Sequence, residues 1–220
     1  MIVGQDILTH LGIKKIMVII SHYELIFNSS NNIFYVKSND VSYCPFCNCC
    51  LSVKDSKNRT VISDDGRKQI YRIRRLICHS CSKIHSELPN FIQPFKHYGS
   101  EVIEPVLDEV SDQCPAENST IKRWLKWFDD SISYIECALT ALKIEVSNNT
   151  INLMNYSSII DNIRCKGKGW LRRIMQLLVN SGSWLSATIW ISHTRFAFCQ
   201  ISFHSKIKSL NFEGRFNYYE

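Results

Sequence analysis

No stretch of 18 consecutive apolar residues occurs in this chain of 220 residues. The best candidates are Ile16–Ile20, only five residues long, and Trp170–Ile191, which Arg172, Arg173 and Asn180 interrupt. A membrane-spanning helix is therefore not expected. The first residues, Met1–Gln5, lack the basic start of a cleavable signal peptide. Lipidation motifs and internal repeats are absent. So are the common catalytic signatures: HExxH, GxSxG and any paired Cys–His nucleophile. Gly167 and Gly169 stand in a basic run, but the phosphate loop GxxxxGK followed by Ser or Thr is missing. His85-Ser86-Glu87 has the His-x-Glu spelling of a deaminase site, yet it follows both Cys-x-x-Cys pairs where it should precede one. After residue 150 the acids are only Asp161, Glu213 and Glu220. These absences argue against an enzyme, a membrane role and a small-molecule substrate.

Cysteine is what the chain has in quantity, with ten. Cys44-Pro45-Phe46-Cys47 and Cys78-His79-Ser80-Cys81 are two Cys-x-x-Cys turns separated by 30 residues. Two such turns can offer four thiolates to one tetrahedral Zn²⁺. The intervening segment has strand character, so the pattern predicts a zinc ribbon over 42–88. Its gap exceeds the usual four-cysteine spacing by about 10 residues. Asp64-Asp65-Gly66, a turn signal between Thr60-Val61-Ile62 and Gln69-Ile70-Tyr71, accounts for the excess. Disulfides conflict with the missing secretory signal, and a redox motif expects one pair rather than two. Cys49 and Cys50 crowd the first turn, and either could replace Cys47. His79 and His85 read as neighbours of the second turn. Cys114, Cys137, Cys165 and Cys199 read as small buried hydrophobes. A reducing, cytoplasmic setting fits this usage.

The net charge of +6 is unevenly spread. Residues 1–43 balance to zero. Residues 44–96 carry ten basic and four acidic side chains, residues 97–150 four and ten, and residues 151–220 nine and three. The ribbon and the C-terminal third are thus the parts that would seek a polyanion.

Along the chain, 1–41 reads as an N-terminal extension with a helix-like start, a polar break at Asn28–Asn32 and a strand at Ile33–Val36; Met17 is an equally good start. In the ribbon, alternation puts Tyr71, Ile73 and Arg75 on one face and Arg72, Arg74 and Leu76 on the other. Residues 89–96 form a proline linker. Three helical patterns follow within 97–146: Gly99–Ser111, with Val102, Ile103, Val106, Leu107 and Val110 on one stripe and Pro105 inside it; Thr120–Phe128, capped by Ser119 or Asn118; and Ile132–Val146. They suggest a helix-turn-helix-like bundle. The linker 147–158 precedes a basic mixed segment, 159–220, with a helix up to Val179 and strands between Ile189 and Phe203. The expected class is α+β: a small zinc ribbon, a helical helix-turn-helix-like bundle and a mixed C-terminal segment.

The run Arg74-Arg75-Leu76-Ile77-Cys78-His79-Ser80-Cys81 through His85, Glu87, Leu88 and Pro89, then Pro94-Phe95-Lys96-His97-Tyr98 and Ser119-Thr120-Ile121-Lys122-Arg123-Trp124, resembles the N-terminal region of bacterial insertion-sequence transposases. It is still more similar to a family of short Gram-positive bacterial proteins of unknown function, which the C-terminal Gly169-Trp170-Leu171 and His193–Phe198 also resemble. The resemblance implies Cys44, Cys47, Cys78 and Cys81 as zinc ligands and DNA binding associated with a mobile element. The DNA contacts expected from charge are Arg72, Arg74 and Arg75, Lys122, Arg123 and Lys126, and Arg172 and Arg173. The reading is a non-catalytic, zinc-dependent DNA-binding accessory protein with a transposase or recombinase as partner. The alternatives are a truncated transposase fragment or a zinc-ribbon protein-interaction adaptor. The acids of 97–150 are expected on solvated helix faces.

Overall fold

The computed structural model describes residues 16–111, 113–146 and 158–184. The expected strands between Ile189 and Phe203, and most of the 147–158 linker, lie outside these residues. The described chain has mixed α+β content: six strands in one sheet and four helices. The strands are β1 (Ile16–Ile20), β2 (Tyr23–Asn28), β3 (Ile33–Ser38), β4 (Ser52–Ile62), β5 (Lys68–Ile77) and β6 (Ile84–Pro89). β5 is the hub. It pairs antiparallel with β4 along its length, with β3 in parallel through Ile70–Arg72, and with β6 antiparallel through Arg75–Ile77. β1 completes one end, parallel to β6, and β2 the other, antiparallel to β3.

Local sequence explains the hairpins. In the β2–β3 turn the side chains of Asn28 and Asn31 accept from the backbone N–H of Ser30 and Ile33, and Asn32 takes a left-handed φ of 55°. In the β4–β5 turn Asp65 accepts from the Ser63 hydroxyl and the Arg67 N–H, with Gly66 at φ 75°. The helix-like start expected before the polar break is not found in the described part: residues 16–28 form β1 and β2. A five-residue apolar run fits a buried strand as well as a helix segment. β1 is buried on both faces. Met17 and Ile19 join the main core, and Val18 joins a small cluster around Cys44 and Cys78.

The helices are α1 (Ser100–Leu107), α2 (Asn118–Val146), α3 (Ile159–Arg164) and α4 (Trp170–Asn180). Three expectations need correction. α1 stops at Leu107, and Val110 is 71% exposed rather than on the buried stripe. Glu109 turns left-handed at φ 57°, and the Val110 N–H folds back onto the Pro105 carbonyl at 3.0 Å to close the helix. Next, Glu117 rather than Ser119 or Asn118 opens α2, because its carbonyl accepts from Thr120 and Ile121. Last, the second and third helical patterns are one helix, so the 97–146 segment holds two helices, not three. Asp129 and Asp130, which separate the two patterns, lie exposed, while Ser131 is fully buried between Phe128 and Ile135. Trp124, Phe128, Ser131, Ile135 and Ala138 thus make one stripe at alternating steps of four and three.

One hydrophobic core joins sheet and helices, from Ile19, Tyr71 and Ile73 to Trp124, Ile135, Trp170 and Leu178. α4 crosses β1, where the Asn180 amide donates to the Ile19 carbonyl and accepts from the Ile19 N–H, each at 2.8 Å.

The acids of the helical region are not all solvated, which corrects a further expectation. Glu104 is 7% exposed and accepts from the backbone N–H of Gly169 and Leu171 at the start of α4. Glu136 does the same for Ile159 and Ile160 at the start of α3. Carboxylates suit those positive helix ends. Asp108 accepts from the Trp170 indole and pairs with Arg164, and Glu101 pairs with Arg172. The acidic and basic blocks seen in the sequence therefore interlock.

Candidate metal centre

The two Cys-x-x-Cys turns have the same backbone. In the first, the Cys44 N–H donates to the Cys49 carbonyl at 2.9 Å, and Asn48 is left-handed at φ 54°. In the second, the Cys78 N–H donates to the Lys83 carbonyl at 2.9 Å, and Ser82 is left-handed at φ 56°. The left-handed residue lies four positions after the first cysteine in both. β4 and β5 carry the turns to one end of the sheet, where they meet.

The four sulfurs of Cys44, Cys47, Cys78 and Cys81 all lie within 4.8 Å of one another. Cys44 Sγ is 3.7 Å from Cys81 Sγ, and Cys47 Sγ is 3.3 Å from Cys78 Sγ. A tetrahedral ion with metal–sulfur bonds of about 2.3 Å needs sulfurs about 3.8 Å apart. None of the four is in a disulfide. The donor set and spacing therefore fit a metal ion, and these are the only residues so grouped among the described ones. Cys49 and Cys50 stand outside the group. Cys49 Sγ donates to the Cys47 carbonyl at 3.6 Å, and Cys50 Sγ to the Leu51 carbonyl at 3.8 Å.

Burial, opposed by the backbone N–H groups of Phe46 and Cys47, pushes the Cys44 thiol up to about 12. Burial raises Cys81 also. At Cys47 burial acts in the same direction, but the Cys49 N–H and the thiols of Cys78 and Cys44 outweigh it and hold the group down to about 6. A bound cation would supply the charge that keeps all four as thiolates.

His85 was expected only as a neighbour, and its place is more specific. It is fully buried, with Nε2 3.5 Å from Cys44 Sγ. Burial, aided by the charge of Lys83, lowers its pKa to about 4. The neutral ring can donate Nε2–H to the sulfur, the kind of support that orients a metal ligand. Its register opposite Leu76 of β5 puts it on the face of the small cluster around Cys44. His79 is exposed.

The residues expected to contact DNA do not form one group. Arg74 holds Glu87, and Arg75 holds Asp55. Arg72 donates to Ser56 Oγ and Asn58 Oδ1. On α2, Lys122 is exposed, Arg123 bonds to Ser119 and Thr120 of its own helix, and Lys126 pairs with Asp130. On α4, Arg172 is taken by Ser100 and Glu101, and Arg173 by the carbonyls of Ile163, Gly167 and Lys168.

A family described as "Domain of unknown function (DUF6431)" matches residues 44–124. That stretch starts at Cys44 and ends in α2, so it encloses the four grouped cysteines. No curated protein and no solved structure matches the chain. No described helix is long and apolar enough to cross a membrane.

Proposed function

We propose that this chain is a zinc-dependent, non-catalytic DNA-binding protein that serves a mobile element, with a transposase or recombinase as partner in a reducing cytoplasm. The observation that carries the reading is the set of four thiolate donors at tetrahedral spacing, at the end of a segment with a net charge of +6. A tetrahedral all-sulfur site selects zinc or an iron–sulfur centre, and a single ion at these spacings favours zinc. The ion's work is structural: it ties together two turns that have little apolar surface to bury. In this reading the ribbon of 42–88 and the helices of 97–146 face the duplex in sequence order. Among the described residues Arg72, Lys122 and Arg123 have no carboxylate within salt-bridge distance and can turn to phosphates directly. Arg74, Arg75, Lys126 and Arg172 must first release an acid, and Arg173 its backbone carbonyls. The test is fluorescence anisotropy with a labelled duplex, using zinc-loaded protein over a salt series. Steep weakening with salt supports the reading. No binding at low salt, with zinc confirmed by elemental analysis, overturns it.

A protein-interaction adaptor is the second reading, and one observation favours it. β2 ends the sheet and exposes Leu25, Ile26 and Phe27 at 44%, 50% and 51%. A partner held on that strand would bind with little dependence on salt.

A further inference from the structure

The end of α4 reaches the metal centre although it carries no ligand. Just past Asn180 the chain turns at Gly182, which is buried and left-handed at φ 76°. Its N–H donates to the Val179 carbonyl at 3.1 Å and closes the helix. The same glycine lies against Pro45, the residue that follows Cys44 in the first Cys-x-x-Cys turn. A Cβ at position 182 would stand 2.8 Å from the Pro45 carbonyl oxygen and 3.6 Å from the Pro45 Cβ. Even a weak C–H···O contact keeps carbon and oxygen about 3.3 Å apart. The obstacle is backbone, so it cannot swing aside as a side chain would.

Two further contacts hold this seat. The Tyr134 hydroxyl of α2 donates to the Ser183 carbonyl. The Asn180 amide is bonded in both directions to the Ile19 backbone, and Val18, next to Ile19 on β1, packs in the small cluster with Cys44, Leu51, Leu76 and Cys78. The turn after α4 therefore meets the cysteines by two routes, directly through Pro45 and indirectly through β1. Gly167, ahead of α4, makes the contrast. It is left-handed too, at φ 88°, but among the described residues nothing beyond its chain neighbours lies within 4 Å of a Cβ placed there.

We propose that Gly182 is a positioning residue for the metal ion, and that binding of the ion and docking of the end of α4 favour each other. The inference rests on the zinc reading above and extends it from the two turns to the helical body. An ion fixes the Cys44 turn, and with it the Pro45 carbonyl against which Gly182 closes. A docked α4 in turn holds Pro45 where the Cys44 sulfur can join the other three. Such coupling is reciprocal: whatever the docked helix adds to metal affinity, the metal adds to docking. Linear sequence hides the link because Pro45 and Gly182 lie in distant parts of the chain.

The experiment measures the zinc affinity of the full chain by competition with a chelating dye. Gly182→Ala should weaken zinc binding by about tenfold. Gly167→Ala places the same methyl group at an equally left-handed glycine and should leave the affinity unchanged. Equal affinity in Gly182→Ala and wild type overturns the inference and leaves the zinc reading standing. So does an equal loss in both variants, which would report overall stability alone. A wild-type chain that binds no zinc overturns both. Hydrogen exchange of the wild type, with and without zinc, decides the matter if Gly182→Ala fails to fold. Removing zinc should speed exchange at the Ser181 and Gly182 amides, which close α4, more than at the Asn162 and Cys165 amides of α3. A uniform change, or none, overturns the coupling.

Discussion

Arg74 places Nε and Nη2 on the two carboxylate oxygens of Glu87, at 2.6 and 2.8 Å. Glu87 is 1% exposed, and its only other side-chain partner among the described residues is the Ser42 hydroxyl. Arg74 keeps 28% of its side chain in solvent. The two partners are therefore unequal. Arg74→Met strands a buried carboxylate and should cost about 3 kcal/mol. Glu87→Gln leaves a guanidinium that water can reach and should cost less. Urea unfolding of the two variants decides it; equal losses would mean that burial does not set the asymmetry.

The metal site gives a second expectation. Cys81→Ser should lose the ion, while Cys49→Ser, whose sulfur faces a backbone carbonyl, should retain one per chain. Elemental analysis after gel filtration reads the result, and full occupancy in the Cys81 variant would sink the four-cysteine assignment. Acid should also release the ion, because protons compete for the thiolates.

Glu101 should give stability a pH dependence of known sign. Burial is the main reason its pKa rises above 4.5, with the Glu101 backbone N–H and Arg172 pulling the other way. The folded state therefore holds the proton to higher pH than the unfolded chain. Its contribution to stability falls as pH rises from about 4.5 to the raised value and is flat above that. Glu101→Gln should remove the fall. The stability of the variant relative to wild type should grow between acid and neutral pH; a difference independent of pH would refute this.

Incubation with supercoiled DNA and Mg²⁺ or Mn²⁺ should show binding without nicking. Two-metal strand transfer needs carboxylates that converge on ions about 4 Å apart. Among the described residues the only cluster with metal-ligand spacing is made of cysteines. Nicking that vanishes in Asp161→Ala would reverse the conclusion.

The metal centre was the most legible part of the sequence. Spacing singled out the two Cys-x-x-Cys turns, with Cys49 and Cys50 still open as replacements for Cys47, and Asp64-Asp65-Gly66 marked the hairpin between them. Alternation in β5 was legible too: Tyr71 and Ile73 enter the main core, and Leu76 enters the cluster around Cys44. What failed was long-range or masked by polar residues. Nothing local to Ile16–Ile20 says that it pairs with β6. The patterns Thr120–Phe128 and Ile132–Val146 read as separate because Ser131, a serine in a core position, carries no apolar signal. Glu104 and Glu136 looked solvated because the helix ends that they cap are distant in sequence.

The bond between Ile19 and Asn180 spans 161 positions. β1 is the first described strand, and among the described residues the Ile19 backbone on its outer edge finds its partner only in Asn180 at the end of α4. During synthesis, therefore, Ile19 waits for this partner while most of the chain is made. Contacts this remote in sequence are slow to form. Closure of this edge should be among the last events of folding, and a ribosome-bound chain cut before residue 180 would present β1 as a sticky strand to chaperones or to its neighbours.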